Sequence, residues 1–211
     1  MNTRHLFQAA AVVLVVGASL ALAAEPTVIS DSDTYPLATC PVTEQPLEAM
    51  GGAITETIND REVRFCCAGC IGRYRADVDA YEAKIDAAII EQQRDTYPTD
   101  RCVVMDTALG SMGDPVEYVH GNRLVRFCCA GCAGMFEADP DKYLAKLDAA
   151  AIERQGEAPA VCVVSGEALG DTSVTLIIAN QALPLHSEDC VEIVRANPAR
   201  YLDKADDASD E

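Results

Sequence analysis

The chain has no tryptophan, and aromatic residues make up only 5% of it. Any core must therefore be assembled mainly from Ala, Val, Ile and Leu. Basic residues are scarce as well. Sixteen Lys and Arg stand against 34 Asp and Glu, a formal charge of −18 over 211 residues. That balance argues against a nucleic-acid partner, because neutralising a phosphate backbone takes a basic face and none is visible. Long apolar runs are missing after the first two dozen residues, so no later segment can span a bilayer. There is no Ser-His-Asp grouping, no glycine-rich phosphate loop and no carboxylate pair with a credible site, and the expectation is a protein that is not an enzyme. Disorder along the whole chain is excluded by an apolar content of 49%.

The single apolar run has the form of an address. Residues 1–24 carry Arg4, then a hydrophobic stretch ending in Ala21-Leu22-Ala23. A basic start, an apolar middle and a small-residue site describe a secretory signal peptide cut near Ala23 or Ala24. An uncleaved anchor is the alternative, although the stretch is short of the roughly 20 residues a span requires. Cleavage leaves a protein with no membrane segment, periplasmic or secreted. Thiols in such a compartment oxidise unless something protects them, and a bound metal is one such protection.

What the chain does have is ten cysteines, and they recur. Thr34–Ala88, Thr96–Ala150 and Ala158–Ala208 align as three units of about 60 residues, with Cys40, Cys102 and Cys162 in register. The organisation expected is a signal segment (1–24), repeat 1 (34–92), repeat 2 (96–155), a divergent repeat 3 (158–205) and an acidic tail (206–211). A unit this small buries little surface and needs metal, disulfides or neighbours to be stable. Each reads as a Cys loop, a β-hairpin such as PVEYV and RLVRF around His120-Gly121-Asn122, and a C-terminal helix. The class is thus α+β, with tandem small treble-clef-like units. Asp139-Pro140 and Asn197-Pro198 read as a helix cap followed by Pro at the first helical position. Tyr143, Leu144 and Leu147, and Tyr81, Ile85, Ile89 and Ile90, fall on helical core faces. The helices run on into EQQRD (91–95) and ERQGE (153–157), which read as linkers. His120 reads as a surface residue, and Met50 and Met112 as loop-packing residues.

Units one and two share one spacing: Cys40, Cys66, Cys67 and Cys70, then Cys102, Cys128, Cys129 and Cys132. Unit three breaks the pattern. Aligning VRFCCAGC with LPLHSEDC puts His186 where Cys66 and Cys128 stand, Ser187 where Cys67 and Cys129 stand, and Cys190 where Cys70 and Cys132 stand. Histidine cannot form a disulfide but can replace a thiolate on zinc or copper. The alignment therefore nominates Cys40, Cys66 and Cys70, Cys102, Cys128 and Cys132, and Cys162, His186 and Cys190 as metal ligands, with Cys67 and Cys129 as a fourth ligand in two units only. The metal is Cu(I) or Zn(II). Disulfides remain the alternative, since the units hold four, four and two cysteines.

The stretch Tyr118 to Tyr143, with its Gly turn, Phe127 before Cys128, Cys128-x3-Cys132, Phe136, Pro140 and Tyr143, resembles a YHS domain and the related TRASH domain of heavy-metal trafficking, resistance and sensing proteins. Unit one departs from that pattern at Tyr74 and Val78, and unit three loses the Phe and carries His186. The resemblance covers nearly all of the chain after the signal segment, and implies a small treble-clef-like fold and metal binding. Three functions fit: an exported protein that sequesters or delivers copper or zinc, passing it to a metal-handling protein; a structural zinc-knuckle module that presents surfaces to a partner; or a thiol-disulfide redox protein using Cys67-x2-Cys70 and Cys129-x2-Cys132.

Overall fold

A computed structural model describes residues 27–156 and 161–202. The signal segment, the acidic tail and the end of the ERQGE linker lie outside the described residues. Among those described, no helix is long and apolar enough to cross a membrane.

The protein is α+β, built from small sheets and helices. Strand β1 (Thr27–Asp31) comes first. Unit one follows with β2 (Ile54–Ile58), β3 (Arg61–Phe65), α1 (Ala68–Ala76) and α2 (Val78–Arg94). Unit two repeats it with β4 (Val116–His120), β5 (Arg123–Phe127), α3 (Gly131–Ala138) and α4 (Pro140–Gln155). Unit three has β6 (Val174–Ile178), β7 (Gln181–Leu185), α5 (Asp189–Ala196) and a helical turn from Ala199. The sequence suggests one helix per unit. The structure has two, because Asp77, Asp139 and Asn197 adopt extended φ values between −148° and −158° and break the helix in the same place each time. Pro140 occupies the first turn of α4, but Asp139 makes no side-chain cap.

Each hairpin closes in two residues, since Ile58 pairs with Arg61, His120 with Arg123 and Ile178 with Gln181. His120 is therefore the last residue of β4 rather than part of the turn. Its ring is half-buried and meets Phe136 edge-on, with centroids 5.3 Å apart, which corrects the surface assignment. Each unit has an apolar cluster that includes its cysteines, and a small fourth cluster of Ala151, Ile177 and Ala182 joins units two and three. Ile85, Ile89, Leu144 and Leu147 are buried there as the helical spacing predicts.

Polar seams join the units. Arg61 Nε donates to Asn122 Oδ1 in the next turn at 2.9 Å and its other arm pairs with Asp86 at 2.7 Å. Arg123 repeats this with Asn180 at 3.0 Å and Asp148 at 2.8 Å. Between them lies Gln93. It is 1% exposed, donates to the Asn122 carbonyl, and accepts from the Leu124 amide and from Asn180 Nδ2. The helix does run on into EQQRD, which is the end of α2 rather than a linker, and Gln93 is buried because its amide satisfies two neighbouring turns. Similarly α4 runs to Gln155.

The first strand does not pair within its own unit. β1 lies parallel to β6, so unit three carries a three-stranded sheet in the order β1-β6-β7. Just after it, the Ser32 and Asp33 carbonyls accept from the Asn122 backbone and side chain in unit two. Arg64 of unit one donates to the carbonyls of Arg195 and Ala196, and Arg195 pairs with Asp31 at 2.7 Å. The three units are thereby closed on one another.

Candidate metal centres

A tight loop opens each unit. The amides of Cys40, Cys102 and Cys162 donate to the carbonyls of Gln45, Thr107 and Glu167 at 2.9, 2.8 and 2.8 Å. Glu44, Asp106 and Gly166 occupy the same point in the three loops with φ of 58°, 55° and 73°, the left-handed conformation that turns the chain back. Such a turn aims successive backbone N–H groups at the cysteine sulfur. In unit three the Val164 amide reaches Cys162 Sγ at 3.4 Å.

The second and third ligands come from the end of the hairpin and the first turn of the short helix. Cys66 directly follows β3, Cys67 stands at the N-cap position of α1 without a side-chain cap, and Cys70 lies in its first turn. The sulfurs of Cys40, Cys66 and Cys70 are buried and lie within 4.8 Å of one another, as do those of Cys102, Cys128 and Cys132. Within these groups Cys66 and Cys70 are 3.8 Å apart, and Cys128 and Cys132 are 3.7 Å apart. Two thiolates about 2.3 Å from a tetrahedral ion stand about 3.8 Å from each other, so the spacing fits shared coordination of one ion. The two triads can hold a metal ion.

Electrostatics divide the roles within a triad. Burial opposes ionisation of Cys40, but the amides of Cys66, Val42 and Thr43 outweigh it and bring the thiol down to about 7. Burial pushes Cys70 up to about 12, reinforced by the sulfurs of Cys67 and Cys40. Cys102 is lowered and Cys132 raised in the same way, with burial the largest influence on each. Each site thus pairs a loop thiol that gives up its proton more easily with a helix thiol that holds its proton more tightly.

Cys67 and Cys129 are half-buried and outside the triads, though 3.6 and 3.8 Å from Cys70 and Cys132. Ser187 takes their place in unit three, its hydroxyl donating to Cys190 Sγ at 3.9 Å. There Cys162 and Cys190 are 3.8 Å apart. The His186 ring is not within the same radius of both sulfurs; its Nε2 faces Glu167 Oε2 at 3.7 Å. All ten cysteines are free thiols. Met50 and Met112 are 69% and 67% exposed, so the packing role expected of them is absent. Sequence reasoning missed the amide cradle around the loop cysteines, for which the signal is the recurring turn residue four positions after Cys.

The chain matches no protein-family model, no curated protein and no solved structure.

Proposed function

We propose that this is an exported, non-enzymatic heavy-metal-binding protein that acts in sequestration, trafficking or resistance, with copper or zinc as its cargo and units of the YHS/TRASH kind. The observation that supports it is the recurrence of one buried triad of thiols at ligand spacing in two units. Thiolate sulfur selects Cu(I) and Zn(II) over hard cations. Three ligands leave a position open, through which a donor on a metal-handling protein takes the ion. The net charge of −18 favours attraction of cations and solubility.

One observation favours a second reading. Cys67 and Cys129 stand close enough to Cys70 and Cys132 to complete four-thiolate sites, which is the closed form of a structural zinc module.

Elemental mass spectrometry on anaerobically purified protein, with thiols counted on the same sample, tests both. Two or three equivalents of metal, with thiols reactive after its removal, support metal binding. Copper, or zinc that exchanges readily, supports handover, whereas zinc retained against chelators supports the structural module. A chain without metal and with five disulfides refutes both.

A further inference from the structure

Among the departures of the third unit from the other two, a pair falls on one site. The loop hydrogen bonds place Glu167 where Gln45 and Thr107 stand. The hairpin alignment places His186 where Cys66 and Cys128 stand. One change exchanges sulfur for nitrogen, and the other exchanges a neutral side chain for a carboxylate. The two new side chains meet, His186 Nε2 lying 3.7 Å from Glu167 Oε2. The two remaining sulfurs, Cys162 and Cys190, keep the 3.8 Å spacing that ligands of one ion require.

We infer that unit three is a third metal site of different selectivity, in which Cys162, Cys190 and His186 Nδ1 take Zn(II) while Glu167 holds the imidazole. The inference rests on the metal-binding reading above and adds a division of labour to it. A neutral imidazole carries one N–H and one lone pair. A carboxylate drawn within hydrogen-bond reach of Nε2 would hold the proton there and leave Nδ1 to ligate, the arrangement that orients metal-bound histidines generally. The Thr172 hydroxyl donates to the His186 carbonyl at 3.2 Å and anchors its backbone. The His186 and Glu167 side chains are both exposed, 41% and 65%, so the pair can move together to bring Nδ1 to the two sulfurs. Ser187 replaces the extra thiol of the other units with an oxygen that is a poor ligand for soft metals. The donor set is then two sulfurs and one nitrogen, suited to a borderline ion, against three sulfurs in units one and two, which suit soft Cu(I).

The test uses the reduced full chain, titrated with Cu(I) and Zn(II) from competing chelators, and ¹⁵N NMR of the histidine side chains. The expected result is Cu(I) filling units one and two while one Zn(II) binds in unit three, with His186 as the Nε2–H tautomer ligated through Nδ1. His186→Ala abolishes that Zn(II) site. Glu167→Gln weakens it about 10–100-fold with the ligands unchanged. His186→Cys keeps the fold and turns the site's preference to Cu(I). Zinc binding indifferent to His186→Ala, ligation through Nε2, or Glu167→Gln equal to the parent overturns the inference. If Cu(I) fills the two triads and unit three takes no Zn(II), the inference fails alone. If the triads take no metal either, the functional reading fails with it.

Discussion

Arg123 gives the sharpest stability prediction. Its side chain is fully buried, with Nε on Asn180 in unit three and the other arm on Asp148 of its own unit and on Ser30 Oγ at 3.2 Å. Asp148 is only 14% exposed, so truncation to alanine strands a carboxylate with little water to solvate it. Removing one partner of a buried pair costs about 3–5 kcal/mol. The partial exposure of Asp148 places Arg123→Ala near the lower figure, about 3 kcal/mol. With a urea m-value of about 2 kcal/mol/M, the unfolding midpoint falls by about 1.5 M. Circular dichroism of the reduced, metal-free chain at pH 7 reads this directly. The seam also predicts coupling: the double variant Arg123→Ala/Asn180→Ala is less destabilised than the sum of its parts by more than about 1 kcal/mol. The equivalent pair, Arg61 and Asn122, gives a coupling of similar size because its geometry is the same. A midpoint shift below about 0.5 M for Arg123→Ala, or additive double variants at both seams, refutes this account of how the units are joined.

Metal affinity of the first triad rises with pH. With Cys70 held up near 12, binding at neutral pH expels its proton, and this group alone raises the apparent affinity about tenfold per pH unit from 8 to 10. Below pH 7 the Cys40 thiolate is protonated as well and the dependence steepens; chelator competition that finds a flat profile contradicts it. Gly121→Ala places a Cβ 2.6 Å from the Ser32 carbonyl oxygen, at a φ of 57°, and destabilises by about 2 kcal/mol in urea titration. Gly134→Ala, in open space within α3, stabilises by about 1 kcal/mol in the same assay. Cys66→Ser removes the metal from unit one, whereas Cys67→Ser leaves it bound, as counted by elemental analysis; loss in both variants instead makes Cys67 an obligatory ligand.

Local periodicity carried most of what was legible in the chain. Cysteine spacing, turn residues and alternating strands act over a few positions, and they led to the hairpins, the tight loops and the two triads. Contacts between units left no such trace. Arg61 and Arg123 look like any charged strand residue until the Asn of the next turn is found opposite them. Gln93 sits in a polar run that resembles a linker, yet burial is tolerable because both ends of its amide are paired. The pairing of β1 with β6 depends on residues at opposite ends of the described chain, and no local pattern announces it. His186 was visible as an exchange of residue type, but the carboxylate that faces it was not, because Glu167 looks like one more acid in an acidic chain.

The closing strand also bears on how such a chain can grow. Repeat proteins commonly lengthen by duplication, since each copy needs only its nearest neighbours. Here the seams would accept another copy: the Arg of one unit needs only an Asn in the turn of the next. The end units have dropped the parts that would continue the series, with Asp60 where Asn122 and Asn180 stand and Gln181 where Arg61 and Arg123 stand. β1 adds a stricter limit. It precedes unit one yet belongs to the sheet of unit three, and a copy inserted between them would carry β6 out of its reach. Divergence within the three existing copies is then the route left for acquiring new chemistry, and His186 with Glu167 marks where it has occurred.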